Sequence, residues 1–178
     1  MSHVFKHFSH ILISAVLIGS LTIIPASAAG TIGTIHSDTT GRALFSVGET
    51  YSFLITPKNP KAKISYTVGN GKLLQTFSSK ILRNKDGTKT YILGFKCVSK
   101  GETGIYMTDN GKVSRIFSAY VGDTIEQIID KIQNSNYTVA LSGEEAQLLI
   151  SKGGDKGKQA LDLLMKHAKP ISGETISK

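Results

Sequence analysis

The residues able to do chemistry are few in this 178-residue chain, and they are poorly spaced for it. Cys97 is the only cysteine, so an intrachain disulfide and a Cys-rich zinc cluster are both excluded. Three of the five histidines, His3, His7 and His10, fall in the first ten residues, leaving His36 and His167 for the rest of the chain. A Cys97–His36 couple would imitate a thiol peptidase, but Cys97 lies in an alternating run (Tyr91, Leu93, Phe95, Cys97) that reads as a core strand. A cysteine in that setting behaves as a small buried hydrophobe. Zinc needs three or four ligands, and no His-x-x-x-His pair supplies them. Asp38, Glu49, Asp86, Glu102 and Asp109 fall at turns or strand ends, not as the facing pair a glycosidase uses. The run Gly153-Gly154-Asp155-Lys156-Gly157-Lys158-Gln159 has the flavour of a phosphate-binding loop. Its glycines are four positions apart instead of five, and Gln159 stands where a hydroxyl residue belongs, so it reads as an interhelical turn. The expectation is a protein that is not an enzyme, with no catalytic residues, cofactor or metal.

Charge is the stronger signal. The chain has 21 Lys and Arg against 13 Asp and Glu, a formal net charge of +8. Residues 30–122 hold most of the surplus, in two clusters: Lys58, Lys61 and Lys63, then Lys80, Arg83, Lys85 and Lys89. Clustered cations hold an anionic polymer such as wall teichoic acid, or an anionic membrane surface, in a salt-sensitive way. The alternative is a solvated basic surface that serves solubility. Nucleic acid has the right charge, but no binding motif accompanies it, and the start of the chain points to export.

That start combines Lys6, an uncharged apolar run over residues 11–24, Pro25 and the small-residue site Ala26-Ser27-Ala28. This is the layout of a signal peptide over residues 1–29, cleaved after Ala28 or Ala29. An uncleaved anchor is the alternative, because 11–29 approaches the roughly 20 apolar residues that span a bilayer. With the leader removed no stable membrane span is expected. The protein is expected to be secreted or associated with the wall and envelope.

The elements that would carry the charged clusters are strands. Alternation of period two runs through Glu49–Thr56, Lys63–Val68, Leu73–Ile81, Thr88–Val98, Thr103–Thr108 and Lys112–Val121, after a first run from about residue 43. Seven such runs at roughly ten-residue spacing predict a small two-sheet sandwich over residues 30–122. Residues 30–41 read as a flexible entry with a short edge strand. Asn70-Gly71, Asp86-Gly87 and Asn110-Gly111 accept the positive φ of tight hairpins, and Asn110-Gly111 predicts one between 103–109 and 112–121. Pro57 and Pro60 are expected in a loop.

At Gly122-Asp123 the period changes to about 3.6. Asp123 and Glu126 resemble a capping box opening a helix. Its face carries Ile125, Ile128, Ile129 and Ile132, the candidate contact surface for a partner helix or protein. Ser142 and Glu145 form a second capping-box candidate, for a helix through Ile150, and residues 156–168 predict a third helix with Leu161, Leu164, Met165 and Ala168 as its stripe. Residues 123–178 are therefore two or three short helices that need something to dock on.

Ser37-Asp38-Thr39-Thr40, Phe45-Ser46-Val47-Gly48-Glu49-Thr50-Tyr51-Ser52-Phe53, Val68-Gly69-Asn70-Gly71 and Gly101-Glu102-Thr103-Gly104-Ile105-Tyr106-Met107 together resemble a bacterial Ig-like module. Modules of this kind recur in exported Gram-positive proteins associated with the cell wall. The resemblance covers residues 37–121 and is structural, not catalytic. It implies a mainly β fold, an Ig-like antiparallel β-sandwich followed here by the small α-helical C-terminal appendage, with Tyr106 packing or capping a corner. It implies a spacer or binding module whose partner is an envelope protein or an anionic wall polymer. The order of strand, Asp-Asn-Gly-Lys turn, strand and helix from Gly101 is also similar to the N-terminal module of pilus secretins. That likeness implies an envelope assembly subunit acting through protein–protein contacts.

Overall fold

The computed structural model describes residues 29–167, apart from the side chains of Ser78 and Ser79. The expectations for the leader, for Ala168 and for the tail from Pro170 lie outside the described residues. Two compact units divide the described chain, residues 29–123 and residues 124–167.

The first unit has nine strands: β1 (Gly30–Ile32), β2 (Ile35–Ser37), β3 (Gly41–Ser46), β4 (Thr50–Pro57), β5 (Ile64–Val68), β6 (Leu74–Arg83), β7 (Lys89–Cys97), β8 (Gly101–Asp109) and β9 (Lys112–Gly122). They form a five-stranded sheet in the order β1-β2-β4-β7-β6 and a four-stranded sheet in the order β3-β9-β8-β5. Lettered as in an immunoglobulin domain, β2-β4-β7-β6 is A-B-E-D and β9-β8-β5 is G-F-C, which is the constant-type arrangement. The Ig-like sandwich is therefore carried by strand order. Every pair is antiparallel except β3 with β9, which run parallel from Gly41↔Phe117 to Ser46↔Gly122. The entry segment is more ordered than expected, since β1 and β2 form a hairpin with Thr31 opposite His36.

Alternation explains the core. Phe53 and Ile55 of β4, Phe95 and Cys97 of β7, Ile105 and Met107 of β8, and Phe117 and Ala119 of β9 are at most 1% exposed. Four phenylalanines form its centre, with Phe53 edge-on to Phe117 at 5.1 Å and Phe45 edge-on to Phe95 at 5.3 Å. The edge-to-face geometry sets the positive rim of one ring against the negative face of the next. Many Ig domains place a B–F disulfide and a strand-C tryptophan in this layer. Here strand B contributes Phe53, and Tyr66 of strand C lies edge-on to it at 5.6 Å. Burial pushes the Tyr66 phenol far above its ordinary range, so it stays neutral. Tyr106 lies on the outer side of β8 against Gly69 and Gly104, where added methyl groups would strike its ring.

The chain changes sheets between β2 and β3 on a hydrogen-bonded hinge. Ser37 Oγ donates to the Thr39 carbonyl at 2.7 Å, and the Thr39 N–H donates back to Ser37 Oγ at 3.1 Å. Asp38 accepts from the Leu54 N–H at 2.9 Å and from Thr39 Oγ1 at 3.0 Å. Since that bond uses the only Thr39 hydroxyl proton, Tyr51 must donate the 2.7 Å bond it shares with Thr39. Ser37 and Thr39 are fully buried, and these bonds satisfy them.

Local structure in the sandwich differs from expectation in two places. Asn110 (φ 48°) and Gly111 (φ 86°) make the tight turn between β8 and β9, but Asn70-Gly71 makes no hairpin. Asn70 instead accepts from Leu73 and Leu74 through its carbonyl and from Lys72 through its side chain, closing a turn that carries the chain from one sheet to the other. Pro57 is the last residue of β4 and not a loop residue; it lies opposite Ile35. Pairing of β4 with β7 ends at Ile55↔Tyr91, so no second neighbour needs the N–H that proline lacks.

The second unit has α1 (Ile125–Asn134), α2 (Gly143–Lys152) and α3 (Gly154–His167), and the three pack on one another. Thr124, not Asp123, caps α1, accepting from the Gln127 N–H while Gln127 reaches back to the Thr124 N–H. Asp123 instead pairs with Lys100 at 2.9 Å. Ser142 and Glu145 form the second capping box. Both α2 and α3 run further toward each other than their patterns predicted, meeting at Gly153-Gly154. Two 2.9 Å bonds, Gly153 N–H to the Leu149 carbonyl and Gly157 N–H to the Gly153 carbonyl, make this a helix corner.

Candidate anion-binding end of the sandwich

Strand pairing determines which cations meet. Because β4 runs against β7, Ile55 at the end of one lies opposite Tyr91 at the start of the other. The β4–β5 connection, with Lys58, Lys61 and Lys63, therefore shares an end of the sandwich with the β6–β7 hairpin, where Arg83 lies opposite Lys89 and Lys85 sits in the turn. The β8–β9 hairpin reaches the same end: Ile64 lies opposite Asp109, and Asp109 opposite Lys112.

Hydrogen bonds that use no cationic side chain tie the β4–β5 connection to the β1–β2 turn and the β8–β9 hairpin. The Lys58 N–H donates to the Thr34 carbonyl at 2.8 Å, Thr34 Oγ1 donates to Asp109 at 2.6 Å, and the Lys63 N–H donates to the Asn110 side chain at 3.3 Å. By strand pairing the two sequence clusters share one end of the sandwich, and Lys112 lies at the same end. Lys80 stands apart, on the flank: it lies opposite Ile92 on β6, three residues before Arg83, which is about 10 Å back along the strand.

Seven cations occupy this end: Lys58, Lys61, Lys63, Arg83, Lys85, Lys89 and Lys112. Lys89 is half-buried and the other six are exposed. Two acids share the end, Asp86 and Asp109, and neither pairs with a cation among the described residues. Asp86 accepts from Thr88 Oγ1 at 2.6 Å and from the Thr88 N–H at 3.0 Å. These bonds, the hydroxyl's first, hold its carboxyl below the ordinary carboxylate value. Asp109 accepts from Thr34 and from the Asn110 amide. Seven positive charges less two negative leave this end at +5.

The other end is organised differently. Arg42 pairs with Glu102 at 3.0 Å and stacks over Tyr120 with 5.1 Å to the ring centre, and Lys100 pairs with Asp123. Lys72 and Lys96 also stand at that end, so Arg42, Lys72, Lys96 and Lys100 are set against Glu49, Glu102 and Asp123, a surplus of +1 against +5. The positive field of the sandwich is therefore polarised along its strands.

The remaining chemical candidates are scattered. His36 lies opposite Thr56, near the basic end, while Cys97 is buried at the far end of β7. Seven residues of strand separate Thr90 from Cys97, about 20 Å, too far for a thiol–imidazole couple. His167 closes α3 and stacks on Tyr137 at 5.2 Å. No cluster of metal-ligating side chains occurs among the described residues.

The isoleucine face predicted as a contact surface is largely covered within the chain. Ile128 and Ile132 are fully buried in the chain itself, and Ile125 and Ile129 are half-buried. Packing of α1 on α2 and α3 uses the stripe that sequence periodicity left open.

No family model matches the chain, and no curated protein matches its sequence. Among solved structures, domains 4 and 5 of the S-layer protein SbsC are similar over 51% of this chain and 52% of theirs, with 20% identity and a TM-score of 0.39. A longer crystal structure of the same S-layer protein is similar over 52% of this chain and 13% of that one, with 20% identity and a TM-score of 0.40. Tandem Ig repeats of Dlar are similar over 49% of this chain and 46% of theirs, with 13% identity and a TM-score of 0.33. The chain spans about half the length of the S-layer domain pair it matches.

Proposed function

We propose that this protein is an exported, non-enzymatic binding and spacer module of the bacterial cell envelope, held to an anionic wall polymer through the basic end of its sandwich. One observation carries the reading: three segments far apart in sequence converge on one end, and its two carboxylates are bonded to hydroxyl and amide donors, not to the cations. A surface that only aided solubility would have no need to concentrate its cations at one end, with a surplus of +5 there against +1 at the other. The signal-peptide layout of residues 1–29 supplies the route to the envelope. A rigid aromatic core between the two ends suits a spacer.

The test is retention of the purified protein on isolated cell walls. At low ionic strength the walls should retain it, and retention should fall steeply between about 0.05 and 0.5 M salt as the charges are screened. Walls stripped of their anionic polymer should release it. Failure of intact walls to retain it at low salt, or retention indifferent to salt, overturns the proposal.

A further inference from the structure

The turns of the basic end have spent most of their backbone donors, and the remaining N–H groups, of Asn59, Lys85, Asp86 and Gly111, are divided among three different turns. The N–H groups of Lys58, Ala62, Asn84, Gly87 and Asn110 all donate to carbonyls within the fold. Those of Lys61, Lys63 and Thr88 donate to the side chains of Asn59, Asn110 and Asp86. No helix begins in the sandwich, so no helix N-terminus points at this end. Among the described residues the one buried side-chain polar atom without a partner is Ser46 Oγ, at the opposite end. A site for a small anion needs convergent, preorganised donors, such as a nest of N–H groups or a buried fork. None is built here.

What is built is a set of separate point charges on flexible stems. They are carried by three segments, two on hairpins of different sheets, and packed sheets lie about 10 Å apart. An isolated phosphate touches one or two such ammonium groups and meets water on its other sides. A chain with a negative charge every few ångströms meets all of them, and each contact releases a counterion. Tyr91, at the start of β7, is packed against the core and so offers no open face on which a nucleobase would stack.

From this we infer that the basic end recognises a linear polyanion by its charge density and does not bind the monomeric anion of the same chemistry. The inference rests on the envelope-binding reading above and narrows its ligand class. Lys112 joins the site as a contact residue.

The experiment titrates the full-length protein with long-chain inorganic polyphosphate, orthophosphate and poly-glutamate across a salt series. Long polyphosphate should bind, and log K should fall linearly with log salt with a slope of about −3 to −4, for about five contacts. Orthophosphate should neither bind nor displace the polymer at matched phosphate concentration. Binding of poly-glutamate as well would identify polymer charge as what is read; binding of polyphosphate alone would narrow the class to phosphodiester-like chains. Lys58→Gln, Lys85→Gln and Lys112→Gln should each flatten the slope by about 0.7, and together weaken binding at least tenfold. Lys158→Gln, in α3, should change nothing. These side chains are exposed, so unchanged circular dichroism would confirm that every variant folds. Orthophosphate competing as well as the polymer, or a slope unmoved by the three substitutions, overturns the inference. If walls retain the protein but polyphosphate and poly-glutamate do not bind, this inference fails and the envelope reading stands. If walls do not retain it, the envelope reading fails as well.

Discussion

Glu145 splits its carboxylate between two helices: Oε1 accepts from Lys131 Nζ of α1 at 2.8 Å, and Oε2 accepts from the Ser142 N–H at the start of α2, also at 2.8 Å. One side chain thus fixes where α2 begins and how α1 lies against it. Its own exposure is 11%, whereas Lys131 is 42% exposed, so solvent screens much of the ion pair. The cap is therefore the larger share. Glu145→Ala should destabilise the helical unit by about 1–2 kcal/mol. Glu145→Gln keeps an acceptor for Ser142 and should cost about half as much. Hydrogen exchange in the first turn of α2 reads both; equal losses would show that the ion pair, not the cap, dominates.

The corner between α2 and α3 predicts an unusual ranking of glycine substitutions. In helical conformation alanine is ordinarily better than glycine by about 1 kcal/mol. At Gly153 the added methyl would strike the Leu149 carbonyl and, at 2.8 Å, the Cα of Gly157, and backbone cannot swing aside. Gly153→Ala should therefore destabilise by about 2 kcal/mol or more. At Gly94 the obstacle is the ring of Phe77, a side chain already 41% exposed that is free to rotate outward. Gly94→Ala should cost about 1 kcal/mol or less. Urea unfolding of both variants tests the order, and the reverse order would mean that the corner relaxes.

The hinge between β2 and β3 is a third place where one bond matters. Thr39→Val removes the acceptor of the Tyr51 hydroxyl and one donor to Asp38. The expected loss is about 1–2 kcal/mol, because Thr39 is fully buried and the half-buried Tyr51 hydroxyl loses its acceptor, while exposed Asp38 regains water. Tyr51→Phe removes the same bond from the other side and should cost less. A double-mutant cycle should show coupling of about 1 kcal/mol. Additive losses would mean that the two residues act independently.

Sequence alone revealed the strands and their faces because Phe53, Phe95 and Phe117 repeat at period two, and alternation is a local property. Turn chemistry was legible where the turn is local too, as at Asn110-Gly111. It failed at Asn70-Gly71, since whether that dipeptide closes a hairpin or changes sheets depends on where β5 and β6 pair, which no short window contains. The same reason hid the functional end. Lys58 and Lys85 read as separate clusters, and only pairing of β4 with β7 puts them at the same end. Lys112 drew no attention, being a single lysine after a turn. In the helices, Thr124 and not Asp123 is the cap, and Asp123 pairs with Lys100, a partner 23 residues earlier in the chain that no local window contains.

Asp86 offers a test by pH. Its folded pKa is depressed by Thr88, hydroxyl first and N–H second. A depressed carboxyl stabilises the folded turn at pH above its unfolded pKa of about 3.9, and that contribution is lost as pH falls through the lower folded value. Thr88→Val deletes the hydroxyl and keeps the N–H, so the Asp86 titration should move most of the way back toward 3.9. At pH near 4 the native protein then carries a more fully ionised Asp86 than the variant does. The variant's basic end is correspondingly more positive and should hold polyphosphate slightly more tightly at that pH, with no difference at pH 7. Carboxyl chemical shifts across an acid titration measure the first effect, and paired binding curves at the two pH values measure the second. An unmoved titration in Thr88→Val would show that the N–H, or the turn itself, holds the proton off. A binding difference persisting at pH 7 would mean that Thr88 contacts the polymer directly.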